Sequence, residues 1–123
     1  IPQEVIDEIN ILRATKRAMA ECIENMPVKP ELVLIDAVDI KVSVPIKSII
    51  KGDAQSYNIA AASIIAKVTR DRLMRDYDNL YPQYGFAKNK GYGTKEHIEA
   101  LKKCGPCPLH RKSFIKNFIG ADL

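Results

Sequence analysis

Ser48-Ile-Ile-Lys-Gly-Asp53, followed by Asn58-Ile-Ala-Ala-Ala-Ser-Ile-Ile-Ala-Lys-Val-Thr-Arg-Asp71, is the stretch from which the fold is read. Ser48-Ile49-Ile50 reads as a short strand that stops at Lys51-Gly52 and offers the carboxylate of Asp53. A long helix is expected from Asn58, a residue able to cap it, to Leu80. Ile59, Ile65, Val68 and Leu73 are expected on its buried side, and Ala60-Ala-Ala-Ser63 keep its first turns thin enough for close backbone approach. Upstream, Leu32-Val-Leu-Ile35 is a second continuous apolar run and ends in Asp36. Such a run reads as a strand buried on both faces, as in parallel sheets. The expected class is α/β, with two acids brought to one edge of a sheet.

Working outward, Ile1 to Met26 reads as one amphipathic helix, with Val5, Ile9, Leu12, Met19, Ile23 and Met26 as its core stripe and Pro27 as its stop. Gln83 to Gly93 reads as a loop rich in Gly, Lys and Tyr. Thr94 caps a short helix that carries Glu96 in its first turn and Ile98 and Leu101 on its apolar face, and Gly105 ends it. Phe114 to Ile119 forms a last amphipathic turn. With no internal repeat, residues 1–123 are expected to form a single domain.

The formal charge of +4 is unevenly placed. Residues 1–82 carry 11 Lys/Arg against 12 Asp/Glu, whereas residues 83–123 carry 8 against 3. A basic final third fits a polyanion, since cations release counterions from phosphates, although a solvated basic face has the same composition. No apolar stretch is long enough for a membrane span. Three cysteines, an odd count with no secretion signal, point to reduced thiols and a cytoplasmic location.

Four groups of residues carry candidate chemistry. Cys104-Gly-Pro-Cys107 has the residues of a thioredoxin-type dithiol, but it is expected at the end of a helix rather than the start, where no dipole lowers a thiol pKa. Cys104, Cys107 and His110 supply only three of the four ligands a structural zinc needs, so ordinary thiols in a turn are the simpler reading. Asp36 and Asp53 repel each other if close, and a divalent cation such as Mg²⁺ or Mn²⁺ relieves that repulsion; equally, each acid caps a loop or a helix. In Lys88-Asn-Lys-Gly-Tyr92, lysines suit phosphates and Tyr92 suits a sugar or base, or else Tyr92 anchors the loop in a core.

Several of these runs resemble one family, bacterial ribonuclease HII. The resemblance lies in Ile50-Lys-Gly-Asp53, Ser56, Ile59 to Asp71, Ile9 to Thr15, Leu32 to Asp36, Pro82 to Ala87, Lys90-Gly-Tyr-Gly-Thr94 and His110 to Phe114, in the family's order. It implies a partial ribonuclease H-like fold: the last two sheet strands plus flanking and C-terminal helices, with a basic helical region over about residues 83–123. It also implies a two-metal endoribonuclease using Mg²⁺ or Mn²⁺. The implied substrates are RNA–DNA hybrids and ribonucleotides embedded in duplex DNA, in DNA replication and repair. By resemblance, Asp36 and Asp53 are catalytic acids and metal ligands, Tyr92 stacks on a deoxyribose, and Lys90 supports its loop near the phosphates. His110 and Arg111 fall in a matching motif without an assigned role. Ala37 stands where many relatives have Gly. The strand carrying the family's first two acids and its Gly-Arg-Gly is not recognised, so the chain is expected to be a C-terminal part of the enzyme. Alone it is expected to self-associate and be inactive, while the intact family enzyme is expected to be monomeric. A non-catalytic nucleic-acid-binding module and a zinc-stabilised interaction module are the alternatives.

Overall fold

A computed structural model describes residues 1–120, so residues 121–123 of the basic region lie outside the described residues. The elements in order are α1 (Gln3–Ile9), α2 (Ile11–Glu24), β1 (Val33–Asp36), β2 (Ile46–Ile49), α3 (Gly52–Gln55) and α4 (Tyr57–Leu80). A 3₁₀ turn (Pro82–Tyr84), α5 (Phe86–Asn89), α6 (Lys95–Cys104) and α7 (Lys112–Ile119) follow. They divide into two compact units, Ile1–Ile65 and Ala66–Leu123.

In the first unit, β1 and β2 pair in parallel, with Val33 opposite Ile46 and Asp36 opposite Ile49. The mixed α/β class is as the sequence predicts, but the second strand begins earlier than Ser48. Pro45 accounts for the shift: its carbonyl accepts the Val33 N–H at 3.0 Å, so pairing starts at the residue after it. Neither strand is buried on both faces. Ile35 is buried, Val33, Leu34, Ile46 and Ile49 are half-buried, and Lys47 and Ser48 are exposed. Ile23 from α2, Ile35 from β1 and Ile40 from the following loop form the core of this unit. Each such side chain contributes roughly 1.5–3 kcal/mol on burial.

The single N-terminal helix expected from Ile1 to Met26 is two helices. Asn10, at φ 69° and ψ 165°, breaks it, and its side chain accepts the Arg13 N–H at 3.1 Å as the cap of α2. The break rotates the apolar stripe, so Ala14 and Ile23 are buried while Leu12 and Met26 are exposed. The α4 cap also differs from expectation. Ser56 Oγ, not Asn58, accepts the Ile59 N–H, at 3.4 Å, and the Ser56 carbonyl accepts from Ala60 at 2.9 Å. Of the expected buried side of α4, only Ile59 is buried; Ile65 (68%), Val68 and Leu73 are exposed, and Met74 is buried instead.

The second unit is built around Met74, Tyr84, Phe86, Leu101, Cys107 and Ile115. Here the short helix capped by Thr94 is as the sequence predicts: Thr94 Oγ1 accepts the His97 N–H at 3.3 Å, and Gly105 at φ 71° ends α6. The expected Gln83–Gly93 loop is more ordered than its composition implies. Gly85, at φ 63°, lets the 3₁₀ turn run directly into α5, and the Tyr84 and Phe86 rings stack with centroids 5.4 Å apart.

Candidate active site and nucleic-acid interface

In the first unit the parallel pairing brings the carboxyl ends of β1 and β2 to the same edge. Asp36 is the last residue of β1, and Asp53 lies in the first turn of α3, just beyond β2, rather than on the strand end that the sequence reading expects. Lys51 makes the turn between β2 and α3 in the left-handed region, at φ 52° and ψ 46°. That turn aims the Gly52 N–H at Asp36, whose Oδ1 accepts it at 2.7 Å. A Cβ at Gly52 would stand 3.3 Å from Asp36 Cα and 2.6 Å from Ile59 Cδ1, so the segment before Asp53 seats against Asp36 only because Gly52 has no side chain. Asp53 Oδ1 accepts the Ala54 N–H at 2.9 Å. Both acids are exposed, and each uses Oδ1 in these bonds.

Two exposed carboxylates, one ending β1 and one in the α3 turn just beyond β2, have the oxygen chemistry that suits a hard divalent cation. Mg²⁺ and Mn²⁺ prefer oxygen, and Mg²⁺ keeps several waters while taking one or two carboxylates. The set is partial, since among the described residues no group of three or more His, Cys, Asp and Glu side chains is placed to hold a metal. From the first turns of α4, Ile59 reaches Gly52 beside Asp36, whereas Ala61, Ala62 and Ser63 are exposed.

In the second unit Tyr92 is 66% exposed, so it is not the buried loop anchor that its sequence context also allowed. Its backbone is fixed even though its ring is free. The Tyr92 N–H donates to the Asn89 carbonyl at 2.9 Å, and the Tyr92 carbonyl accepts from Thr94 N–H and from His97 Nδ1, both at 2.9 Å. Asn89, buried beneath the loop, donates to the Tyr84 carbonyl at 2.6 Å and accepts the Gly91 N–H at 2.8 Å. Lys90 sits in the left-handed region at φ 52°, with its ammonium donating to the Ala87 carbonyl and its own carbonyl accepting from Arg70 at 3.3 Å. Gly91 is confined as well, since a Cβ there would lie 3.3 Å from Met74 Cε. Lys90 therefore closes the end of α5, and Tyr92 projects from a braced turn.

Cys104 and Cys107 form no disulfide: Cys104 is exposed at the end of α6 and Cys107 is buried. Burial pushes the Cys107 thiol up, although backbone groups of Leu109, Cys107 and His110 act the other way, so it is not an activated thiolate. For the zinc alternative, no group of three or more His, Cys, Asp and Glu side chains is placed to hold an ion among the described residues. Cys107 Sγ meets His110 Nδ1 at 3.2 Å while His97 Nε2 meets His110 Nε2 at 3.0 Å, on opposite sides of the ring, where one ion cannot take both partners. The pairing of the chain's two histidines had no local signal, because they lie thirteen positions apart.

Among the described residues no helix is long and apolar enough to cross a membrane. The family described as Ribonuclease HII matches residues 1–117. Ribonuclease HII of Lachnoclostridium phytofermentans is 64% identical over 113 residues, covering 91% of this chain and 44% of that protein. Its counterpart in Caldanaerobacter subterraneus subsp. tengcongensis is 60% identical over 116 residues, covering 93% and 48%. The chain thus spans about half the length of the curated relatives it matches. Ribonuclease H2 from Pyrococcus horikoshii OT3 superposes with a TM-score of 0.76 at 23% identity, covering 97% of this chain and 65% of that one, and so shares its fold. A match along nearly the whole sequence, with identities this high, means that the chain belongs to the ribonuclease HII family.

Proposed function

We propose that the polypeptide carrying this chain is a cytoplasmic ribonuclease H type 2 endonuclease acting in DNA replication and repair. It hydrolyses RNA in RNA–DNA hybrids and nicks duplex DNA at embedded ribonucleotides. The observation that carries this reading is that Asp36 ends β1 and Asp53 lies in the first turn of α3, just beyond the parallel strand β2, with the Gly52 N–H bound to Asp36. Residues 1–123 are taken as one part of a ribonuclease H-like catalytic domain, in which the basic region over about residues 83–123 supplies phosphate contacts.

Asp36 and Asp53 would hold Mg²⁺ or Mn²⁺. When bound, such ions activate water at neutral pH and neutralise charge on the scissile phosphate and its leaving oxygen. The chain's own residues hold the two carboxylates in register, present the Tyr92 ring to a sugar face, and supply Lys and Arg to the phosphates. Lys90 acts in this reading by keeping the Tyr92 turn closed.

The test is Asp53→Asn in the full-length polypeptide, assayed on a duplex containing one ribonucleotide in Mg²⁺. Cleavage is expected to fall at least about a hundredfold, with the circular dichroism spectrum and melting temperature retained. Near-normal turnover would falsify the ligand assignment. Salt-sensitive binding with no ion-dependent cleavage by the full-length wild type would leave a binding module instead.

Produced alone, residues 1–123 are expected to be inactive and to self-associate. Ile64 (62% exposed), Ile65 and Val68 lie within one turn of α4 and form an apolar stripe open to solvent. Light scattering that gave a stable monomer at high concentration would remove this part of the proposal.

A further inference from the structure

The two histidines of the chain are in contact, and the contact ends on Tyr92. His97 Nδ1 lies 2.9 Å from the Tyr92 carbonyl, His97 Nε2 lies 3.0 Å from His110 Nε2, and the Cys107 N–H points at His110 Nδ1 across 3.0 Å. These partners assign the protons. A carbonyl only accepts, so His97 carries its proton on Nδ1. The Cys107 N–H, a donor only, lies closer to His110 Nδ1 (3.0 Å) than does the Cys107 carbonyl (3.3 Å), so the geometry favours a bare His110 Nδ1. The remaining proton sits on His110 Nε2, which donates to the bare His97 Nε2. On this pattern of partners the two tautomers are opposite.

The surroundings favour this state. His97 is 4% exposed, and aromatic rings flank the pair: Tyr84 is 4.9 Å from His110 and Phe86 is 5.5 Å from His97, centroid to centroid. The groups that face His110 are His97 from α6, Tyr84 from the 3₁₀ turn, Phe86 from α5, and the Cys107 thiol and backbone from its own turn. None of these is a carboxylate that would welcome an imidazolium. Burial lowers the His110 pKa below the ordinary imidazole range and the neighbouring His97 adds to that, while the Cys107 backbone, whose carbonyl is 3.3 Å from Nδ1, acts the other way. A proton added to His110 Nδ1 would set it against the Cys107 N–H across 3.0 Å.

We propose that His97 and His110 are positioning residues for nucleic-acid contact. As an oppositely tautomerised pair they hold the Tyr92 backbone to the Cys107–His110 turn, and they release it when His110 is protonated. The role in substrate binding rests on the reading of Tyr92 as a nucleic-acid contact; the latch itself does not.

The experiment uses the full-length polypeptide with ¹⁵N-labelled histidine. At neutral pH the imidazole spectra are expected to show an Nδ1–H tautomer for His97 and an Nε2–H tautomer for His110. The same tautomer in both rings, or a charged ring, overturns the proposal. On acidification without nucleic acid, the Tyr92 amide resonance is expected to shift together with the His110 ring, below the ordinary imidazole range. A Tyr92 amide indifferent to that titration also overturns it, and this arm needs no variant to fold. His110→Ala is expected to raise KM for the ribonucleotide-containing duplex about threefold to tenfold with little change in kcat. His110→Gln, whose amide can still donate to His97, is expected to recover most of that loss and to remove the acid dependence of KM. An unchanged KM in His110→Ala overturns the positioning role. If Tyr92→Ala also leaves KM unchanged while the tautomers and the Tyr92 amide titration are as expected, the nucleic-acid reading has failed and the latch has not.

Discussion

The Gly52 N–H donates to Asp36 Oδ1 across 2.7 Å, tying the end of one parallel strand to the turn that leaves the other. It is a bond between the residue before one candidate metal ligand and the other candidate ligand itself. The separation of the two acids therefore depends on a backbone contact rather than on long side chains.

Replacing Gly52 with alanine tests that dependence. The new Cβ would stand 2.6 Å from Ile59 Cδ1 and 3.3 Å from Asp36 Cα. The Ile59 methyl can rotate away at some cost within a buried site, but the Asp36 backbone has less freedom. Overpacking of this kind is expected to cost about 1–3 kcal/mol in urea denaturation. Combining Gly52→Ala with Ile59→Val should return part of the loss, because the two changes share a contact. Strict additivity would show that Ile59 is not the obstacle.

Ala37, directly after Asp36, has φ 49°, a region in which a Cβ is costly and glycine is at ease. A change of Ala37 to glycine, minor as a change of composition, is thus a change in backbone strain. Ala37→Gly is expected to stabilise the chain by about 0.5–1 kcal/mol, the relief of strain exceeding the added freedom of the unfolded chain. Loss of stability in thermal denaturation would mean that the turn after β1 is not strained by its side chain.

Much of this arrangement can be read from the amino acids. Val33-Leu-Ile35 is a strand because consecutive apolar residues with β-branched members fit little else at that length, and the acid after it follows directly. Thr94 and Gly105 bracket α6 because capping is a local interaction that local sequence specifies. Asn10 interrupts the N-terminal helix where a count of apolar spacing runs straight through it, since its role depends on one dihedral pair. Ser56 and Asn58 are equally good caps by residue type, and only the short α3 before them selects Ser56. Exposure of Ile65 and Val68 is not a local property at all, because it depends on what packs against α4. The His97–His110 pair is hidden for the same reason.

Acid should destabilise the first unit through Glu24. Its carboxyl is lowered from 4.5 to about 2, first by the Lys29 ammonium and then by the Ser43 N–H and hydroxyl, with burial opposing weakly. The contacts are 2.7 Å to Lys29, 2.7 Å to Ser43 N and 2.8 Å to Ser43 Oγ. A depressed folded pKa means that the unfolded chain takes up the proton first as pH falls. The contribution is therefore fully present above about 4.5 and lost as pH falls toward about 2. Glu24→Gln should lower the melting temperature at neutral pH and flatten its fall across that window. Equal acid slopes in variant and wild type would exclude Glu24 as a cause.

Tyr92 and Lys90, paired by the sequence as nucleic-acid contacts, should separate experimentally. The Tyr92 ring is largely exposed, so Tyr92→Ala is expected to leave the melting temperature nearly unchanged while weakening affinity by about 1–3 kcal/mol, the range of a lost stacking contact. Lys90 spends its ammonium on the Ala87 carbonyl in a left-handed turn. Lys90→Gly should keep the turn without strain and remove only the side chain. If that ammonium acts on the protein, the dependence of log affinity on log salt keeps its slope; if it leaves Ala87 to meet a phosphate, the slope falls by about 1. Filter binding to a ribonucleotide-containing duplex across a salt series, with Ca²⁺ in place of Mg²⁺ to suppress cleavage, measures both. An unchanged slope with Tyr92→Ala clearly weakened is the expected result, because the Lys90 side chain already closes the turn from which Tyr92 projects.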